Sequence, residues 1–359
     1  MKTVHHKLKF AVVGCGRISE RHLQALTSEN MNAELVAVTD INEERARGKA
    51  EKYSVPYYHD YHEMVKRHPE IDVIDILTPT GYHAKHVIDL ARYGKHIVVE
   101  KPMALKVSDA EKMIDTCGKH GVRLFIVQQN RFNKAVQAAR AALERDQFGK
   151  LVLGTVRVRW MRYQGYYDQD AWRGTWELDG GVMSQQASHH LDLLQWFMGP
   201  IESMQCRTAT RLMNIEVEDT AVATFHFKSG ALGAFEATVA ARPEDLEASL
   251  SILGENGSLV IEGNAVNKIK YWRFADDDTE DPLVQERHSE EVPDIYGHGH
   301  FPYLAHVVEA IMENKPALVE GHEGKKDVEI LTALYESAAC GGAIVKPGCP
   351  IKKSRLGCR

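Results

Sequence analysis

"LKFAVVGCGRISERHLQAL", residues 8–26, opens as a strand and closes as a helix, with the change falling across two glycines. The apolar, partly β-branched run Phe10–Val13 stops at Gly14, and beyond Gly16 the side chains of Ile18, Leu23 and Leu26 fall on roughly one helical face. The pattern is G-x-G-x-x-S. In a strand–turn–helix unit the first glycine permits the tight turn. The second lets the main chain approach a pyrophosphate, which the free N–H groups and dipole of a helix N-terminus favour. Ser19 stands where a third glycine or alanine is usual, and it is small enough for close helix–strand packing.

Alone, the glycine pattern is weak; its surroundings strengthen it. A second strand, "AELVAVTD" (33–40), ends in Asp40, 26 positions past Gly14. An acid there can accept hydrogen bonds from adenosine ribose hydroxyls and repel a 2′-phosphate, which points to NAD rather than NADP. The alternative is that Asp40 caps the following helix. The alternation continues with "DVIDILTPT" (72–80) as a strand and "GYHAKHVIDLARYG" (81–94) as a helix ended by Gly94. "KHIVVE" (95–100) is then a strand, "SDAEKMIDTCGKHG" (108–121) a helix capped by Ser108 or Asp109, and "VRLFIVQQ" (122–129) a strand. Strands spaced by helices make a parallel, doubly wound α/β sheet whose ligands lie at the carboxyl ends of its strands. Thr78-Pro79 and Glu100-Lys101-Pro102 fall at such ends, so Lys101 lies where a cofactor is expected. Pro102 restricts the lysine's main chain and admits a cis bond.

At 359 residues the chain fits two domains, taken here as 1–127 and 128–359, with the C-terminal helix free to pack back on the first. A formal charge of -6 gives no reason to expect nucleic acid or an anionic membrane, and no apolar run is long enough to span a bilayer. The basic start runs straight into a strand without a leader-like apolar segment, and His5-His6 is too short for a tag. Six scattered cysteines show no C-x-x-C spacing and read as reduced cytoplasmic thiols. His298 and His300 in "YGHGH" could chelate at i, i+2, but no nearby Cys or His completes a set, so no metal is expected.

Taken together, "AVVGCGRIS", "LTPTGYHAKHV", "GKHIVVEKPMAL" and "GGVMSQQASHHLDLLQW" resemble the glucose-fructose oxidoreductase / inositol 2-dehydrogenase (Gfo/Idh/MocA) family over nearly the whole chain. The resemblance implies an N-terminal Rossmann domain and a C-terminal α/β domain whose open, mostly antiparallel sheet makes a homodimer or homotetramer. It also implies an E-K-P lysine, Lys101, and a catalytic histidine, His189, with Asp192 three residues on. Where many members carry an aspartate, this chain has Gln185, so acid–base work would fall to Lys101 and His189. The stretch "RYQGYYDQDAWRGTWELDGGVMSQQASHHLDLLQW" further resembles bacterial enzymes that oxidise carbon 3 of UDP-N-acetyl-2-amino-2-deoxyglucuronate (UDP-GlcNAcA), for lipopolysaccharide O-antigen sugars. Such enzymes use NAD, and some relatives reoxidise NADH in place with a 2-oxo acid such as 2-oxoglutarate.

On this resemblance the cofactor contacts are Gly14, Gly16, Arg17, Ile18, Asp40, Thr78, Pro79, His83, Glu100, Lys101, Trp172 and Arg173, and no metal takes part. Removing a hydride from a sugar carbon requires removing the hydroxyl proton. Lys101 is assigned to polarising that hydroxyl and His189 to accepting the proton, though the roles could be exchanged. Asp192, at i+3 from His189 on an amphipathic helix, could orient the ring. A uronate diphosphate calls for cations and aromatic surfaces, which Arg157, Arg159 and Tyr163 supply, and on the resemblance Lys101, Gln185, His189 and Asp192 complete the substrate contacts. The bland alternatives are a solvated strand face or subunit contact for the arginines, and core packing for Trp172. Two other functions stay open: a dehydrogenase of a free polyol such as inositol, and a non-catalytic dinucleotide-binding regulator.

Overall fold

The turn at Gly14 joins β1 (Leu8–Val13) to α1 (Ser19–Leu26) in the computed structural model, which describes residues 7–275, 281–292 and 294–359. His5 and His6 lie outside the described residues. The first half continues β2 (Ala33–Thr39), α2 (Glu43–Tyr53), β3 (Tyr57–Tyr58), α3 (Tyr61–Arg67), β4 (Val73–Ile76), α4 (Thr80–Ala91), β5 (His96–Val99), α5 (Val107–Lys119) and β6 (Leu124–Ile126). Then follow α6 (Lys134–Glu144), β7 (Leu151–Arg159), α7 (Gln164–Tyr167), α8 (Val182–Gln185), α9 (Ser188–Met198) and strands β8 (Ile201–Ala209) to β9 (Thr220–Phe227) and β10 (Leu232–Thr238). The chain closes with β11 (Glu247–Gly254), β12 (Gly257–Glu262), β13 (Lys268–Phe274), α10 (Asp281–His288), α11 (His300–Met312) and α12 (Gly321–Ala339).

Two compact units result. The first is the chain up to Val127 together with His300–Lys325; the second is Gln128–Gly299 with Lys326–Arg359. The two units do not divide at a single cut: His300–Lys325 belongs to the first unit, where α11 packs on α1, and its Tyr303, Leu304 and Val307 are buried. Arg123, at the start of the β6 run, donates to the carbonyls of Ala310 (2.6 Å) and Lys315 (2.7 Å), covering main-chain acceptors at and beyond the end of α11.

In the first unit the strands pair in parallel in the order β3-β2-β1-β4-β5-β6. Residues of β4 are buried throughout, as expected for a parallel strand covered on both faces. Helix starts follow local chemistry: Asn42 accepts from Arg45 N–H (3.1 Å) and Asp60 from the N–H groups of His62 (2.6 Å) and Glu63 (2.9 Å). At α5 the expected cap by Ser108 or Asp109 does not form. Lys106 is extended, so the helix starts at Val107 and Asp109 enters the first turn as a carboxylate near the positive dipole end.

The second unit holds the order β13-β12-β11-β7-β10-β9-β8 among the described residues, antiparallel except for the β7–β10 pair. The helix α9 covers one face of this sheet. A Cβ at Gly154 of β7 would lie 2.6 Å from Met198 Cγ, so glycine permits the approach. Nearly every residue of α9 is buried, and the amphipathic helix expected around His189 is instead enclosed. No described helix is long and apolar enough to cross a membrane.

Gly14 has φ +106° and a Cβ there would meet the Leu77 carbonyl carbon and oxygen at 2.8 Å, whereas at Gly16 a Cβ would meet no protein atom within 4 Å. Gly14→Ala is expected to lower unfolding free energy in urea by about 1–3 kcal/mol. Gly16→Ala should leave it within about 0.5 kcal/mol and weaken dinucleotide binding instead. Equal stability losses in both variants would contradict the assignment of Gly16 to the ligand.

Candidate active site

At the dinucleotide edge, the Gly14–Gly16 turn is tied to the end of β2. Cys15 N–H donates to Asp40 Oδ2 (2.7 Å), and the other Asp40 oxygen accepts from Asn42 N–H (2.8 Å). Because Asn42 caps α2, Asp40 is not that helix's cap. Ser19 is fully buried and its hydroxyl donates to the Gly16 carbonyl (2.7 Å), so the serine in the third fingerprint position stitches the turn shut. Arg17 is exposed on the turn, and Ile18 is the residue immediately before α1.

The ends of β4 and β5 are knitted by His83. Its ring lies between the carbonyls of Thr78 (2.7 Å) and Pro102 (2.9 Å), and burial holds its pKa below the ordinary value, so the neutral ring donates to one carbonyl at a time. His83 therefore braces the loops from inside. Pro79 caps α4 by conformation, and Thr78 Oγ1 bonds His86 (2.9 Å). Lys101 is half-buried at the end of β5, and Lys101–Pro102 is cis. Glu100, expected to face the cofactor, turns inward: one carboxylate oxygen accepts the Lys101 N–H (2.9 Å) and the other meets His22 Nε2 (3.1 Å).

In the second unit His189 is buried between two amides that the sequence did not single out. Gln128 Nε2 donates to Asp327 Oδ2, which turns Gln128 Oε1 toward His189 Nδ1 (2.9 Å). The proton then sits on Nδ1, leaving Nε2 as the basic nitrogen, 3.0 Å from the Gln129 amide nitrogen. Asp192 does not orient this ring. It forms a fully buried two-point pair with Arg131 (Nε to Oδ2 2.8 Å), and Arg131 also lies over Trp196. Gln185 ends α8, a helix distinct from α9, and its amide donates to Asp179. Trp172 and Arg173 stack on each other (4.6 Å), with Arg173 also bonded to Tyr166 (2.7 Å); Tyr163 is exposed under Arg242.

Arg157 and Arg159 are displaced from the expected site. The pleat of β7 turns Gly154, Val156 and Val158 to α9 and sends both arginines to the open face. There Arg159 bridges Glu236 (2.7 Å) and Glu247 (3.2 Å), and Arg157 lies 3.6 Å from Glu247. Within this unit they cannot join His189. His298 is exposed and bonds the Glu291 carbonyl (3.1 Å), while His300 is buried in the first unit, so the two do not chelate together.

Residues 8–128 match the family described as an oxidoreductase family with an NAD-binding Rossmann fold, and residues 140–346 match its C-terminal α/β domain. The WlbA dehydrogenase from Bordetella pertussis, solved with NADH and UDP-GlcNAcA, is 38% identical with a TM-score of 0.89, over 95% of this chain and 97% of that one. The WlbA enzyme from Chromobacterium violaceum, also solved with NADH and UDP-GlcNAcA, is 37% identical with a TM-score of 0.89, over 97% and 98%. Myo-inositol 2-dehydrogenase of Thermotoga maritima is 30% identical over 64% of this chain and 68% of its own length.

Beneath the Gly180–Ser188 segment that leads into α9 lies Glu218, fully enclosed, accepting from Met183 N–H (3.0 Å) and the Tyr335 hydroxyl (2.8 Å). Burial pushes its pKa up to about 7. Between the ordinary carboxylate value and about 7 the folded chain holds a proton that the unfolded chain releases, so this group makes stability fall as pH rises through that window and level off above it. Glu218→Gln should flatten that limb in urea titrations at pH 5, 6, 7 and 8. An unchanged slope would show that Glu218 is ionised throughout.

Proposed function

The chain belongs to the Gfo/Idh/MocA oxidoreductase family and is an NAD-dependent dehydrogenase, and within that family we propose that it oxidises the carbon 3 hydroxyl of UDP-GlcNAcA to the 3-keto sugar. The observation that carries this substrate is whole-chain likeness, at 37–38% identity and a TM-score of 0.89, to two enzymes solved with that nucleotide sugar. The open-face arginines, paired with Glu236 and Glu247, lend it no weight. Asp40 at the end of β2 supports NAD over its 2′-phosphorylated form.

In the proposed reaction, hydride passes from carbon 3 to the nicotinamide ring and the hydroxyl proton passes to His189 Nε2. Alcohol and NAD+ become ketone, NADH and one proton. Gln128 keeps the His189 proton on Nδ1, so that Nε2 presents a lone pair, and the Gln129 amide at 3.0 Å is the contact the hydroxyl displaces. The Lys101 ammonium stabilises developing negative charge on the oxygen. The product belongs to the cytoplasmic supply of lipopolysaccharide O-antigen sugars, with 2-oxoglutarate as a candidate acceptor for in-place reoxidation of NADH. The open sheet face, where Val222, Leu232 and Tyr271 are exposed among charged neighbours, is proposed to meet a second copy in a dimer or tetramer.

The test is NADH absorbance after mixing enzyme and NAD with UDP-GlcNAcA, UDP-N-acetylglucosamine or inositol, with and without 2-oxoglutarate, at single-turnover enzyme concentrations. Reduction with the uronate alone is expected. Reduction with inositol alone would instead give the polyol reading, in line with the Thermotoga relative. Lys101→Met and His189→Asn should each lower the rate by about 10²–10⁴-fold while retaining NAD binding.

A further inference from the structure

Behind Lys101 lies a group of ionisable side chains that the proposed chemistry does not use. His22 of α1 is fully buried. Its Nδ1 is 2.7 Å from Asp75 Oδ2 in the middle of β4, and its Nε2 is 3.1 Å from Glu100 Oε1 at the end of β5. Asp75 is fully buried and Glu100 is 6% exposed. A ring between two carboxylates donates from both nitrogens, so His22 is an imidazolium. His300, the first residue of α11, stacks edge-on against His22 (5.2 Å), with its Nε2 3.8 Å from the same Glu100 oxygen.

Burying three charges is costly unless their geometry is tightly satisfied. The geometry here leads to one point outside the cluster: the second Glu100 oxygen accepts the main-chain N–H of Lys101 at 2.9 Å. The ring fixes the carboxylate, and the carboxylate fixes the lysine's main chain at the strand end. An error there is carried to the ammonium at the tip of a four-carbon stem, and a misplacement of about 1 Å at a reacting group can cost on the order of 100-fold in rate.

We propose that His22, Asp75 and Glu100 form a buried ionic clamp whose role is to position Lys101, a role that rests on the reading of Lys101 as the group that polarises the substrate hydroxyl. All three are positioning residues rather than cofactor contacts. The competing use of the same atoms is a metal site, since donor atoms of His22, Glu100 and His300 lie within 4.8 Å of one another. The clamp is favoured because a hydrogen bond already spans His22 and Glu100, and the remaining Glu100 oxygen is taken by Lys101.

The experiment compares wild type, His22→Gln, Glu100→Gln and the double variant by steady-state kinetics, NAD binding, thermal unfolding, metal analysis and the NMR signal of 13C-methylated Lys101. The lysine signal is assigned by Lys101→Arg and recorded without sugar. His22→Gln should lower kcat about 10- to 100-fold, leave NAD affinity within about threefold, and shift or broaden the Lys101 signal. The double variant should recover at least part of both losses, because an amide in place of the Glu100 carboxylate has no charge to strand and its carbonyl can still accept the Lys101 N–H. Losses that simply multiply, an unmoved Lys101 signal, or NAD affinity falling in step with kcat would overturn the clamp. So would one equivalent of metal that His22→Gln removes. If His22→Gln does not fold, His22→Asn, whose amide reaches Asp75, takes its place. A Lys101 signal that responds as expected in a protein that turns over no sugar would uphold the clamp and refute the substrate reading instead.

Discussion

The approach of the Gly14 main chain to the Leu77 carbonyl is the constraint on which the dinucleotide edge depends. With a Cβ excluded at 2.8 Å, the first turn lies directly against the end of β4, and the register Val13↔Ile76 and Ile76↔Val99 carries that alignment across to β5. The same turn presents Cys15 N–H to Asp40. Glycine, acid and lysine, far apart in the chain, thus reach one row of strand ends because a parallel sheet places every carboxyl end on the same edge. A shift of one residue in the β1–β4 pairing would turn Asp75 away from His22 and reverse the faces of the strand that carries it.

What the residues reveal on their own follows from short-range rules. Alternating strands and helices, the Gly14 turn, Asp40 and the position of Lys101 depend on spacing within one supersecondary unit, and spacing is visible in a string of letters. Strand face is not. Arg157 and Arg159 do share a face, but which face meets α9 is decided by Gly154, whose missing side chain admits Met198 and Leu194. Partners distant in sequence are equally hidden. Asp192 stands three residues from His189 on a helix, yet its carboxylate is taken by Arg131, 61 positions earlier. Gln128 and Gln129 read as the tail of a strand, and nothing local indicates that Asp327 orients one of them toward the histidine. His22 reads as a polar residue on an amphipathic helix. A polar side chain beside Leu23 and Leu26 on a buried face is the available signal.

Three histidines in this chain show how partners, more than residue type, decide what an imidazole can do. His22 lies between Asp75 and Glu100. Burial alone would discharge it, but the two carboxylates win and raise its pKa to about 10, so it stays a fixed cation. His83 lies between two main-chain carbonyls, which carry no net charge; there burial wins and the ring stays neutral, a brace between loops. His189 is held by the amides of Gln128 and Gln129, which fix its tautomer. The Gln185 amide is turned to Asp179 and the Asp192 carboxylate to Arg131, so neither of these contacts is with the His189 ring. The difference between His22 and His83 thus lies in the charge of the groups at either end of each ring.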